Sequence, residues 1–212
     1  VESNGSANML FVDGGNEEVL IQRASSGGTA TAGSVLIVED DDNTEISILG
    51  GSSSVLAINF GHSGDVDDGK IDYNTTSGSE EMRFFVNAAE RMRIDKDGKV
   101  ALAATAVAKT DTDTSNTGSV TLDFGANQNF VLTLTGNVTL ANPSTEQVGQ
   151  SGFITFIQDG TGSRTVSLGT DYETAAGGGL TLTSTASATD IVPYVVVATN
   201  RILLGTPQLA FS

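Results

Sequence analysis

The residues of this chain that could do chemistry are acids, a single histidine and one glycine-flanked lysine. Gly64-Asp65-Val66-Asp67-Asp68-Gly69-Lys70 has the glycine-to-lysine spacing of a phosphate-cradling loop. Ile71 stands where a Ser or Thr hydroxyl would hold Mg²⁺, and three carboxylates inside the loop would repel phosphate, so nucleotide binding is not expected. Asp65, Asp67 and Asp68, Asp95 and Asp97, and the run Glu39-Asp40-Asp41-Asp42 offer hard oxygen ligands for Ca²⁺. None completes the spaced carboxylates and final Glu of an EF-hand loop, so these are read as solvated turn acids, with weak Ca²⁺ binding as the alternative. His62 sits beside Ser63, but neighbours in an extended chain point to opposite sides and a triad needs convergence in space. A turn histidine is expected. Any two of 26 acids could form a pair able to cleave a glycosidic bond, yet three Tyr and no Trp make a poor sugar-stacking surface. No catalytic residue, cofactor or metal ligand is assigned, and no enzymatic activity is expected.

The charge balance narrows the partners. Ten Lys and Arg against 26 Asp and Glu leave a net charge of −16, which opposes a nucleic-acid backbone and an anionic membrane surface. The sequence has no apolar run near the ~20 residues that cross a bilayer as a helix. Without Cys there is no disulfide framework and no thiolate chemistry.

Any site must be carried by strands. Through residues 1–104, three- to six-residue apolar stretches alternate with acidic or Gly-rich turns, including Val35 to Val38, Ile46 to Leu49, Val55 to Phe60, Lys70 to Tyr73, Met82 to Val86, Arg91 to Ile94 and Lys99 to Leu102. Asp95-Lys96-Asp97-Gly98 suits a tight turn with Gly98 in the left-handed region. No segment keeps helical periodicity, so the fold class is all-β. Short strands with thin apolar faces bury too little surface to offset chain entropy alone, which implies burial against other copies of the chain.

Residues 105–118 lose the alternation in a Thr/Asp/Ser tract and read as a linker. From residue 119 to 212 alternation sharpens: Val120, Leu122 and Phe124 face one way, and Phe130, Leu132 and Leu134 oppose Val131, Thr133 and Thr135. Gly136-Asn137 reads as a two-residue hairpin turn, as does Thr199-Asn200. Further strands are expected at Gly152 to Gln158, Arg164 to Leu168, Leu180 to Thr183, Ile191 to Ala198 and Arg201 to Leu204. The whole suits an antiparallel β-sandwich of jelly-roll type. Its longest connections, Asn142 to Ser151 and Thr170 to Gly179, supply the partner-contact candidates Glu146, Gln147, Asp171, Tyr172 and Glu173. Tyr172 is the residue chosen as candidate contact anchor, while a Tyr that caps the core edge is the favoured reading of this residue alone.

Two stretches resemble a known family. Met82, Phe84, Asn87, Glu90, Arg91, Met92, Arg93, Ile94, Asp95, Gly98 and Val100 match a signature common in bacteriophage tail fibres and related trimeric adhesins. Phe130 to Pro143, followed by Phe153, Gln158, Asp159, Thr161, Gly162, Arg164, Thr165 and Val166, resembles a β-rich C-terminal module of phage fibre proteins. The Trp-Pro usual after that second stretch is replaced by Ser167-Leu168-Gly169. The resemblance implies a homotrimeric structural protein of the virion, with a β-prism-like shaft over 1–104 and a knob over 119–212. Its partners would be itself, other virion proteins and a host-surface glycan or protein, with neither nucleic-acid binding nor membrane insertion. The alternatives are a capsid-decorating protein that does not touch the host and a glycan depolymerase on the same scaffold.

Overall fold

The computed structural model of the chain describes residues 11–13, 18–22, 36–39 and 42–211, so Asp40 and Asp41 of the acidic run lie outside the described residues. The chain divides into two compact units, Val1–Ala104 and Thr105–Ser212. Both are all-β.

Among the described residues, the first unit holds two sheets. Strands β1 (Phe11–Asp13), β2 (Glu18–Gln22) and β3 (Leu36–Glu39) pair in that order, the first pair antiparallel and the second parallel. Strands β4 (Val55–His62), β5 (Asp65–Asn74), β6 (Glu81–Val86), β7 (Ala89–Asp95) and β8 (Val100–Leu102) form an antiparallel meander. The stretch Ile46 to Leu49, expected as a strand, is extended but unpaired. Both tight turns of the meander's far end use left-handed backbone: Asn87 and Ala88 join β6 to β7, and Gly98, at φ 79°, joins β7 to β8. The Asp95 carboxylate fixes this last turn by accepting from the backbone N–H groups of Asp97 and Lys99, each at 3.0 Å.

Register sorts the meander's side chains sharply. One face carries two rows that cross all five strands: Ile58, Ile71, Phe84, Met92, Leu102 and Leu56, Tyr73, Met82, Ile94, Val100. The opposite face is charged. Asp72, fully buried, accepts from Arg83 at 2.8 and 3.2 Å and pairs with Lys70 at 3.2 Å. Lys70 and Arg83 both lie over the Phe85 ring, at 4.2 and 5.6 Å from its centroid, and Arg93 bridges Glu90 and Glu81.

The second unit is built from β9 (Thr110–Thr121), β10 (Asn129–Ala141), β11 (Ser151–Gln158), β12 (Val166–Leu168), β13 (Tyr172–Thr174), β14 (Thr189–Ala198), β15 (Arg201–Leu204) and β16 (Gln208–Phe211). Its sheet is mixed. β10 pairs parallel with β9, β11 and β12, while β11, β14 and β15 pair antiparallel in sequence, which corrects the expectation of an antiparallel sandwich. Two further expectations change with it.

The first is the hairpin at Gly136-Asn137. Neither residue takes the positive φ that a two-residue hairpin turn demands, and β10 runs through them. Inward alternation continues unbroken from Phe130, Leu132 and Leu134 to Val138 and Leu140. What occurs at Gly136 is a corner. The β9–β10 register shifts between Leu134 and Val138, Gly118 on β9 is left-handed at φ 70°, and the far-side partner of β10 changes from β11 to β12. A Cβ at Gly136 would overlap the Thr117 side chain, so glycine is what lets the two strands bend together.

The second is the linker over 105–118, most of which is strand β9. It reads as a linker because it is an edge strand exposed at nearly every position, so its Thr and Asp residues need no apolar alternation. Its one buried side chain, Asn116, donates to the carbonyls of Asp113 and Thr133. Leu180 to Thr183 form no strand, although Leu180 and Leu182 pack against the core. That core is the inward set of β10, β11, β14 and β15, closed by the Phe124–Phe130–Tyr194 aromatic cluster, with each fully buried side chain contributing about 1.5–3 kcal/mol.

Candidate functional site

The two long connections of the second unit meet. Asn142 stitches them together: its amide Nδ2 donates to Thr170 Oγ1 at 2.8 Å, and its Oδ1 accepts from the Asp171 N–H at 3.1 Å. Glu146 reaches the β14–β15 turn, where its Oε1 accepts from the Asn200 N–H at 2.9 Å. Asn200 holds the left-handed conformation, φ 56°, that this expected hairpin turn needs. Glu173 at the start of β13 forms a two-pronged ion pair with Arg201 on the neighbouring β15, at 2.9 and 3.1 Å. Three connections therefore form one surface, held by side-chain-to-backbone bonds.

Within it, the five expected contact residues separate. Gln147 and Glu173 are exposed; Glu146 is half-buried; Asp171 and Tyr172 are buried. Tyr172 is not an exposed anchor: at 5 % exposure it belongs to the core cluster, in line with the favoured core-capping reading. Period-2 alternation places it there, since β13 pairs in parallel with β15 and sets Tyr172 beside the buried Ile202. Burial, with the Asp171 and Glu146 carboxylates nearby, drives the Tyr172 phenol above its ordinary range. Its hydroxyl and the Glu146 Oε2 atom are both buried without a hydrogen-bond partner.

Sequence reasoning missed Val148, Asn200 and Arg201. Val148 is 64 % exposed beside Gln147, and an apolar side chain held outward in a polar connection was a legible signal. Arg201 was not legible, because its partner Glu173 is 28 residues away and the two meet only through the β13–β15 pairing. The exposed chemistry of this end includes the Gln147 amide, the Val148 side chain and the Glu173–Arg201 ion pair. That set suits hydrogen bonding to a polar surface.

Several other singled-out residues make hydrogen bonds within their own turns. His62 Nδ1 accepts from the Gly64 N–H at 3.1 Å in the β4–β5 turn, and Asp65 accepts from Asp67. Gln158 clamps the backbone of Arg164 from both sides, at 2.9 Å each. Asp159 accepts from Arg164 and from the Thr161 and Gly162 N–H groups; the Arg164 bond first, then that of Gly162, pull its carboxyl down to about 2. The Gln-Asp-x-Thr-Gly-x-Arg stretch is therefore a closed loop that delivers the chain to β12.

Residues 114–199, from within β9 to the end of β14, match the family described as "Putative phage tail fibre C-terminal domain". No curated protein and no solved structure matches the chain. The matched residues lie within the second unit and make up about two fifths of the chain, so the likeness to phage tail fibre proteins is that of this domain.

Proposed function

We propose that this chain is part of a bacteriophage tail fibre, a non-enzymatic homotrimer subunit that touches the host cell surface, a glycan or a protein, through the joined connections of its second unit. The observation that carries the reading is the convergence of 142–151, 169–174 and the 199–200 turn, with Gln147, Val148, Glu173 and Arg201 outward. Loops held by a rigid sheet are where binding residues concentrate. The buried carboxylates Asp72 and Asp190 support a structural role: the first is held by Arg83 and Lys70, the second by Thr183 and the Ala210 N–H.

The test is adsorption of phage particles carrying Gln147→Ala, Val148→Ala and Glu173→Ala together. These side chains are exposed, and a surface ion pair contributes about 0–1 kcal/mol, so assembly should survive. Adsorption should fall at least tenfold. Unchanged adsorption by fully assembled particles would remove this surface from host contact and favour shell decoration. Release of reducing ends from host polysaccharide by the intact chain would contradict the non-enzymatic part.

A further inference from the structure

We infer that copies of this chain meet through the uncharged face of the β4–β8 meander, an assignment that rests on the homotrimer reading and names its contact surface. The rows through Ile58, Ile71 and Phe84 and through Tyr73, Met82 and Ile94 cross all five strands without a charged residue. Ile58 is 50 % exposed and Leu102 51 %, so among the described residues this face lacks a covering layer. The Ile46–Ile48 stretch runs along it and leaves a cleft of about 260 Å³ lined by Leu56, Ile58, Ile71, Tyr73 and Met82.

Dimensions decide the occupant. At roughly 4.8 Å between strands and 3.4 Å per residue, the meander presents a footprint of about 550 Å², whereas the small β1–β3 sheet could cover about 200 Å². The chain's own first strands are too small. Three meander faces turned toward a common axis would bury on the order of 1,650 Å² in total, above the roughly 1,000 Å² that a specific interface needs. Electrostatics agree. A chain of net charge −16 repels its copies, and contact is least opposed across a face whose positions are all uncharged. The opposite face cannot compete, because Asp72, Arg83, Glu81 and Arg93 are already paired within the chain.

The intact chain contains no Cys, so single thiols report each face without background. Ile58→Cys lies on the apolar face, Asn59→Cys on the charged face, and Phe153→Cys on the exposed side of β11. At concentrations where the chain sediments as an oligomer, alkylation of Ile58→Cys should be at least tenfold slower than that of Asn59→Cys. Dilution to the monomer should restore it. Protection that persists in the monomer would mean that the chain covers its own face and would overturn the inference. An oligomer in which Phe153→Cys is protected and Ile58→Cys is free would overturn it while leaving the homotrimer intact. A chain that is monomeric at every concentration would overturn both. As a second measure, Ile58→Asp should weaken association at least 100-fold while the β spectrum of the chain is retained; unchanged association would contradict the assignment.

Discussion

Individual side chains hold the scaffold in ways that can be measured, and Tyr172 is one of them. Its ring is core and its hydroxyl is buried without a partner, so the two parts of the residue act in opposite directions. Tyr172→Ala should cost about 3–5 kcal/mol in urea unfolding, whereas Tyr172→Phe should be neutral or stabilising, because it removes an unpaired buried hydroxyl. A loss above about 1 kcal/mol for Tyr172→Phe would mean that the hydroxyl has a partner. Asp159 gives a pH signature. Its folded carboxyl titrates near 2 against an ordinary 3.8, so its contribution to stability is fully present above about pH 4 and is lost as pH falls through about 2. Unfolding midpoints of the unaltered chain and Asp159→Asn should therefore differ most near pH 5 and converge toward pH 2. A difference independent of pH would show that the Arg164 contact does not depend on the charge of Asp159. At the alkaline end, burial pushes Tyr194 up to about 12, and stability should fall once pH rises above the ordinary phenol value of 10.

Elements were legible wherever one face is buried. Alternation through Phe130, Leu132 and Leu134, and through Ile191 to Ala198, marks β10 and β14 because period 2 is a direct consequence of half-burial. Pairing direction was not legible. Parallel and antiparallel strands share that periodicity, and Gly136-Asn137 carries a turn composition while performing a corner. β9 was invisible for the opposite reason, since an exposed edge strand has no apolar signal. The candidate site followed the same division: its connections could be read from turn residues, but the inward placement of Tyr172 depends on β13–β15 pairing across 30 residues. The corner makes its own prediction. An ordinary turn glycine tolerant of Ala would gain about 0.4–1 kcal/mol on substitution, whereas Gly136→Ala should lose about 1–3 kcal/mol because the new methyl meets Thr117. A stabilising Gly136→Ala, measured by chemical denaturation, would return the position to a plain turn.

At the scale of the molecule, the two units divide the work. The second unit has a buried core of its own, while the first exposes two apolar rows that a lone chain in water leaves half-covered. In the proposed assembly, copies of the chain supply the missing layer, and the net charge then lies outside the contact. Sedimentation equilibrium of the intact chain should give three times 21.7 kDa at micromolar concentration. A stable monomer there would refute the assembly. Host contact by the second unit is tested most directly by binding of the purified, fluorescently labelled intact chain to host cells, in competition with phage. Saturable binding that blocks phage adsorption is expected, with at least tenfold weaker binding by the Gln147→Ala, Val148→Ala, Glu173→Ala variant at the same oligomeric mass. Failure of the correctly assembled chain to bind cells or to slow adsorption at saturating concentration would contradict it.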